Sequence, residues 1–178
     1  MKRILRAMTL SLVAVFNVAF IIVSVALFSQ ALADERMKYD GEQINCLALN
    51  IYFETRASSL ADAMAVSDVV LNRVNHTSYP NTICEVVHQS VKDGNGQPKR
   101  HMCQFSWYCD GKADVPKNSD AWEKSRKYAH DMYMHEAYVG LTEGATHYHA
   151  NYVKPYWVPK MDRVTKIGSH IFYRMKGK

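Results

Sequence analysis

The sequence is short of the residues that divide chains. Eight glycines and five prolines in 178 residues leave no Pro- or Ser-rich linker, and no repeat or low-complexity tract occurs. A chain of this length with no linker holds one domain of ordinary size. Gly-x-Ser-x-Gly is absent, so nothing supports a serine nucleophile on a strand-to-helix elbow. No two cysteines have the two-residue spacing of a zinc knuckle. Charge of one sign is scarce as well. The 22 Lys and Arg against 17 Asp and Glu give +5, and setting aside Lys2, Arg3 and Arg6 of the N-terminal segment leaves +2. With no basic run interleaved with aromatics, that excess gives no footing for a nucleic-acid partner. An apolar share of 48% with 22% charged residues describes a globular chain and excludes wholesale disorder.

What is present begins with an address. After the basic start, an apolar stretch runs from Ala7 to Phe28, and Ala31-Leu32-Ala33 precedes Asp34-Glu35. Small residues at the first and third positions of that triplet fit a signal-peptidase site, with cleavage after Ala33. The apolar stretch, about twenty residues long, also just suffices to span a bilayer. Residues 1–33 are therefore expected to be a cleaved signal peptide or a retained anchor giving membrane association through residues 7–28. Residues 34–178 form the exported domain, in the periplasm or cell envelope. Cys46, Cys84, Cys103 and Cys109 all lie in that part. An even number of cysteines in an oxidising compartment predicts two disulfides. Three pairings are open; the short loop between Cys103 and Cys109 favours joining those two and pairing Cys46 with Cys84. Zinc is the weaker reading.

Ile44, Leu47, Ala48, Ile51 and Tyr52 recur on one face of a helix from about Glu42 to Glu54. Ser59, with Asp62 three residues on, predicts the N-cap of a second helix carrying Ala63, Val66, Val70 and Val74. Asn81 is a candidate cap for a short helix through His88, Lys92 to Arg100 reads as a polar loop, and Asp120 opens a third long helix. Short strands are expected over 145–152, 164–167 and 170–174, with Gly168-Ser169 as a two-residue hairpin turn. Helices first and a small antiparallel sheet last make an α+β domain.

Glu54 is the candidate for chemistry. It follows an apolar helix face where the chain must turn, and a carboxyl desolvated beside Tyr52 and Phe53 can hold a proton near neutral pH. A solvated Glu in a last helical turn is the plainer alternative. His147 and His149 alternate along one strand, a spacing that can present two imidazoles to one metal and more often lines a cleft. Phe105, Trp107, Tyr108, Tyr148, Tyr152, Tyr156 and Trp157 offer rings on which sugars stack, with core packing the default for any single one.

Together these residues carry a resemblance. Cys46-Leu-Ala-Leu-Asn-Ile-Tyr-Phe-Glu54-Thr-Arg56 resembles the opening motif of the SleB/CwlJ family of cell wall hydrolases, the spore cortex-lytic type. The likeness continues through Ala65 to Val74, Tyr79 to Val87, Cys103-Gln104-Phe105-Ser106-Trp107 with Cys109-Asp110-Gly111, Ala145 to Ala150, and Ile167 to Tyr173. The blocks keep family order over about residues 44 to 174. The resemblance implies a lysozyme-like, lytic-transglycosylase-like helical domain that cuts peptidoglycan glycan strands. It implies Glu54 as the catalytic acid of a Glu-Ala-Arg-Gly-Glu pattern; Arg56, Gln104, Ser106, Tyr148, His149 and Trp157 are the candidates for binding substrate. Thr55, Ala57 and Ser58 depart from that pattern. Loss of the Gly at position 57 costs about 1 kcal/mol if that residue is left-handed.

The expected reaction cleaves between N-acetylmuramic acid and N-acetylglucosamine. A two-carboxylate hydrolase needs a second Asp or Glu facing the first, and Asp62, Asp68, Asp110 and Asp114 are each explicable as cap, helix surface or turn. A lytic transglycosylase needs only Glu54, as acid and then as base, with no cofactor and no metal. A zinc amidase built on His147 and His149, or a non-catalytic wall-binding module, are the alternatives. A monomer is expected.

Overall fold

The computed structural model describes residues 2–56 and 59–176, with side chains from Phe20 onward. Two compact units divide the chain, residues 1–41 and 42–178. Helix α1 (Lys2–Thr55) runs through the first and into the second. It does not start at Glu42 as the periodicity predicts. Gly41 costs only about 1 kcal/mol inside a helix, and no proline interrupts the segment before it. Among the described residues no helix is long and apolar enough to cross a membrane. The part of the apolar stretch before Phe20 lies outside the residues whose side chains are described.

The second unit is built around α2 (Leu60–Val74). The predicted cap is in place: Ser59 Oγ accepts from the Asp62 N–H at 3.0 Å and donates to the Asp62 carboxylate at 2.8 Å. Sequence periodicity predicts a buried helix with one main face, but residues 62–70 are buried continuously. The reason is that α2 is covered on two sides. Ala63, Met64 and Val70 pack with Leu47 and Ile51 of α1, with Val86 and Val87 of α3 (Ile83–Val87), and with Ala129 and Met132 of α4 (Ser119–His135). Ala65 and Val69 pack instead with Ala145 and Phe172.

The caps of the other helices are shifted by short polar side chains. Thr82 rather than Asn81 caps α3, and Asn118 rather than Asp120 caps α4, each accepting from a backbone N–H three residues on. The expected loop at 92–100 is a hairpin. Strand β1 (Ser90–Lys92) pairs antiparallel with β2 (Pro98–Cys103), and only the intervening 93–97 is turn. Disulfides join Cys46 to Cys84 and Cys103 to Cys109. The first ties α1 to α3; the second closes the 3₁₀ turn Ser106–Cys109 onto β2.

The C-terminal sheet has the order β3-β5-β4, with β3 (His147–Ala150), β4 (Met161–Ile167) and β5 (His170–Met175) all antiparallel. Its hairpin is the predicted one. Ile167 pairs with His170 across Gly168-Ser169, and Gly168 takes φ +52, the positive first angle that a Gly-first two-residue turn requires.

Candidate active site

Helix α2 aims the chain that reaches the site. Asp68, expected on a helix surface, is fully buried; it accepts from the Gly140 N–H at 2.8 Å and from the Thr142 N–H and Oγ1 at 2.7 and 2.6 Å. One turn on, Asn72 Nδ2 donates to Thr142 Oγ1 and to the Ala145 carbonyl, at 3.0 and 2.9 Å. Arg73 Nε donates to the Thr146 carbonyl at 2.8 Å. These bonds fix the segment immediately before β3, and so fix which residues of β3 face the helices.

Strand alternation then divides the sheet into two faces. Tyr148 opposes Phe172, and Ala150 opposes His170. This face meets the end of α1. Tyr148 Oη donates to Glu54 Oε2 at 2.9 Å, and the His170 ring meets Tyr148 edge-on with centroids 5.3 Å apart. His147 and His149 lie on the other face with Tyr173 and Trp157. There His149 stacks on Tyr173, its Nδ1–H donates to the Ala150 carbonyl at 2.8 Å, and its Nε2 is 3.0 Å from the Tyr173 hydroxyl.

Glu54 sits in the last turn of α1, half-buried, with its carboxyl against the Tyr148 hydroxyl. Burial raises its pKa, and this outweighs the hydrogen bond from Tyr148 and the nearby charges of His170 and Arg73, which act the other way. Burial, and then the Glu54 charge, push the Tyr148 phenol well above its ordinary value, so Tyr148 remains a donor. Arg73 is buried with its guanidinium over the Tyr79 and Phe105 rings, 5.4 and 5.1 Å from their centroids, and its Nη1 has no partner among the described residues. His147 is lowered to about 4 by burial and by Arg73, and is neutral at physiological pH.

Asp62 completes the group. Its Oδ1 lies 3.0 Å from His170 Nδ1 and 3.1 Å from the Ser169 N–H. Burial alone would raise this carboxyl, but the hydrogen bonds from His170, Ser59 and Ser169 hold it below the usual range. The two carboxyls are thus pushed apart, Glu54 on Tyr148 toward holding a proton and Asp62 on His170 toward staying ionised, a pattern that separates acid from base roles.

Beside this group lies a cleft of about 640 Å³. Phe53, stacked on Trp107 with centroids 4.9 Å apart, lines it together with Arg56, Ser106, Asp114 and Lys117. Glu54 is not among the lining residues; one residue on from Phe53, it points about 100° further round α1.

Of the residues singled out from sequence, Glu54 and Tyr148 are in direct contact. Arg56 and Ser106 line the cleft. Gln104 is exposed, with its N–H bonded to the Gln89 carbonyl at 2.9 Å. His149 and Trp157 meet each other on the far face of the sheet. The left-handed residue after α1 is Arg56, at φ +50; Ala57 and Ser58 lie outside the described residues. Nothing in the sequence singles out Arg73 or His170 as functional, and Asp62 reads there only as a cap. The pattern Ser59-x-x-Asp62 showed the cap, but nothing local signals a carboxylate shared with a hairpin more than a hundred residues on.

The cell wall hydrolase family matches residues 57–173, a span that opens just after Glu54. Two solved structures are similar to the chain. The catalytic domain of the Bacillus cereus SleB protein is 25% identical over 74% of this chain and 89% of that one, with a TM-score of 0.51. The catalytic domain of the germination-specific lytic transglycosylase SleB from Bacillus anthracis is 26% identical over 74% of this chain and 93% of that one, with a TM-score of 0.53. Comparison with curated proteins gives no match. With two thirds of its length matched and a SleB-like α+β fold around the site, the chain belongs to the cell wall hydrolase family.

Proposed function

We propose that this chain cleaves the glycan strand of peptidoglycan between N-acetylmuramic acid and N-acetylglucosamine as a lytic transglycosylase, with Glu54 as the acid. The observation that carries this reading is a half-buried carboxyl at a helix end, raised by desolvation and held by the Tyr148 hydroxyl. A group in that state can give a proton to the bridging oxygen at neutral pH. The substrate's own acetamido group stabilises the cationic centre that follows. The muramic C6 hydroxyl then closes a 1,6-anhydro ring, and in the minimal scheme its proton returns to Glu54. Phe53 and Trp107 give the adjoining cleft an aromatic wall for sugar rings, and Arg56 and Ser106 supply polar contacts there.

The same reading places residues 34–178 outside the cytoplasm, in keeping with the wall substrate and the two disulfides. Residues 1–33 act as the export signal or as a membrane anchor, and the domain works as a monomer. An amidase with a metal on His147 and His149 is disfavoured, because both ring nitrogens of His149 already have protein partners.

Mass spectrometry of muropeptides released from purified peptidoglycan tests the proposal. Fragments ending in 1,6-anhydromuramic acid, lighter than hydrated ends by one water, are expected. Reducing muramic ends would make water the acceptor and remove the transglycosylase half. Free stem peptides would establish an amidase, and glycan binding with no soluble product a wall-binding module.

A further inference from the structure

The minimal scheme asks one half-buried carboxyl to give a proton and to take the next, yet a second acid–base group stands close by. His170 is on the same sheet face as Tyr148, ring against ring at 5.3 Å, and Tyr148 touches Glu54. Its orientation is not free. Asp62 Oδ1 faces Nδ1 at 3.0 Å, and the His170 and Asp62 side chains are only 12% and 7% exposed. An ionised carboxylate can only accept, so Nδ1 carries the hydrogen. Nε2 is therefore the basic nitrogen, and no described residue bonds to it. A carboxylate that fixes an imidazole tautomer and supports the imidazolium formed later is the standard arrangement for activating a hydroxyl.

Resting on the glycan-cleavage reading, we propose that the Asp62–His170 pair is the second acid–base group of this site, with His170 Nε2 taking the proton of the attacking C6 hydroxyl. The step balances without a co-reactant. Glu54 gives its proton to the bridging oxygen as the C1–O bond breaks, and the C6 oxygen bonds to C1 as its proton moves to Nε2. The imidazolium, paired with Asp62, then passes that proton to the Glu54 carboxylate, directly or by exchange through solvent, which restores the site. The titratable groups in contact with His170 are Asp62 of α2 and Tyr148 of β3; its charge also acts on Glu54 of α1, as that of Arg73 does.

The test uses the full chain on purified peptidoglycan. His170→Asn keeps an N–H that can reach Asp62 and deletes Nε2, so it separates a structural role from a proton-accepting one. A fall of about 10²–10³ in kcat is expected, with KM little changed, the acid limb of the pH profile removed, and the thermal transition close to wild type. His170→Ala should regain turnover with added imidazole. Wild-type rate and pH profile in His170→Asn, or His170→Ala that folds but gains nothing from imidazole, overturns the proposal. If Glu54→Gln is dead while His170→Asn is fully active, only this inference is lost. If Glu54→Gln is active, the glycan-cleavage reading is lost with it.

Discussion

The two faces of the three-stranded sheet are made from the same strands and nearly the same side chains, yet they do different things. The inner face holds Tyr148, His170 and Phe172; the outer holds His147, His149, Tyr173 and Trp157. On the outer face His149 is closed between the Ala150 carbonyl and the Tyr173 hydroxyl. On the inner face they are handed to α1 and α2, Tyr148 to Glu54 and His170 to Asp62. Residue type thus says little about role here. What decides is which face an odd or even position lands on, and that is set by Arg73 and Asn72 gripping the residues before β3.

The largest effect that sharpens this contrast is on the inner face. Glu54→Gln preserves size and hydrogen bonding but cannot transfer a proton, so turnover should fall by at least about 10²–10⁴ in a muropeptide-release assay. The same variant should be more stable than wild type at pH 8. A raised carboxyl binds more protons folded than unfolded, so it costs stability as pH rises above the ordinary Glu value of about 4.3. Below that value the difference should vanish in thermal melts; a gain that is independent of pH would mean Glu54 is not desolvated.

Gly168→Ala comes next. A Cβ there falls on the Asp62 carboxylate, and φ +52 is strained for any L side chain. A loss of about 2–4 kcal/mol is expected from denaturant titration, and an unchanged midpoint would show that the turn and Asp62 are not in contact. Tyr148→Phe removes one hydrogen bond to Glu54, which should reduce kcat/KM about tenfold. Because that bond lowers the Glu54 pKa, its loss should carry the alkaline limb to higher pH; a limb moving down would reverse the assignment.

The smallest effect belongs to the outer face. His149→Phe keeps the stack on Tyr173 and loses two hydrogen bonds, costing about 1–2 kcal/mol of stability. Its pH–rate profile should match wild type. A changed profile would bring the outer face into the chemistry and erase the distinction between the two.

Much of this was legible in the sequence where the signal is local. The Ser59 cap, the Gly168-Ser169 hairpin, the helix face ending at Glu54 and the preferred cysteine pairing need only neighbouring residues or a count. The hairpin of β1 and β2 was hidden because its strands are mostly polar and exposed, which looks like loop. Buried Asp68 was missed because a lone acid amid valines and alanines reads as surface until its partners at Gly140 and Thr142 are seen. His149 and Tyr148 looked like one groove because adjacency in sequence is separation across a sheet.

The carboxylate of Asp62 serves a helix cap, a hairpin turn and an imidazole at once. For anyone altering this domain, that shared carboxylate makes the length of the turn between β4 and β5 a fixed quantity. One residue inserted or removed there shifts β5 by a single step, and every side chain of that strand changes sides. On removal of one residue, Ile171 would face Asp62 in place of His170, leaving an ionised carboxylate against a hydrocarbon and the hydroxyl of Tyr173 where Phe172 now fills the core. Grafts and loop exchanges in this fold should leave that turn intact.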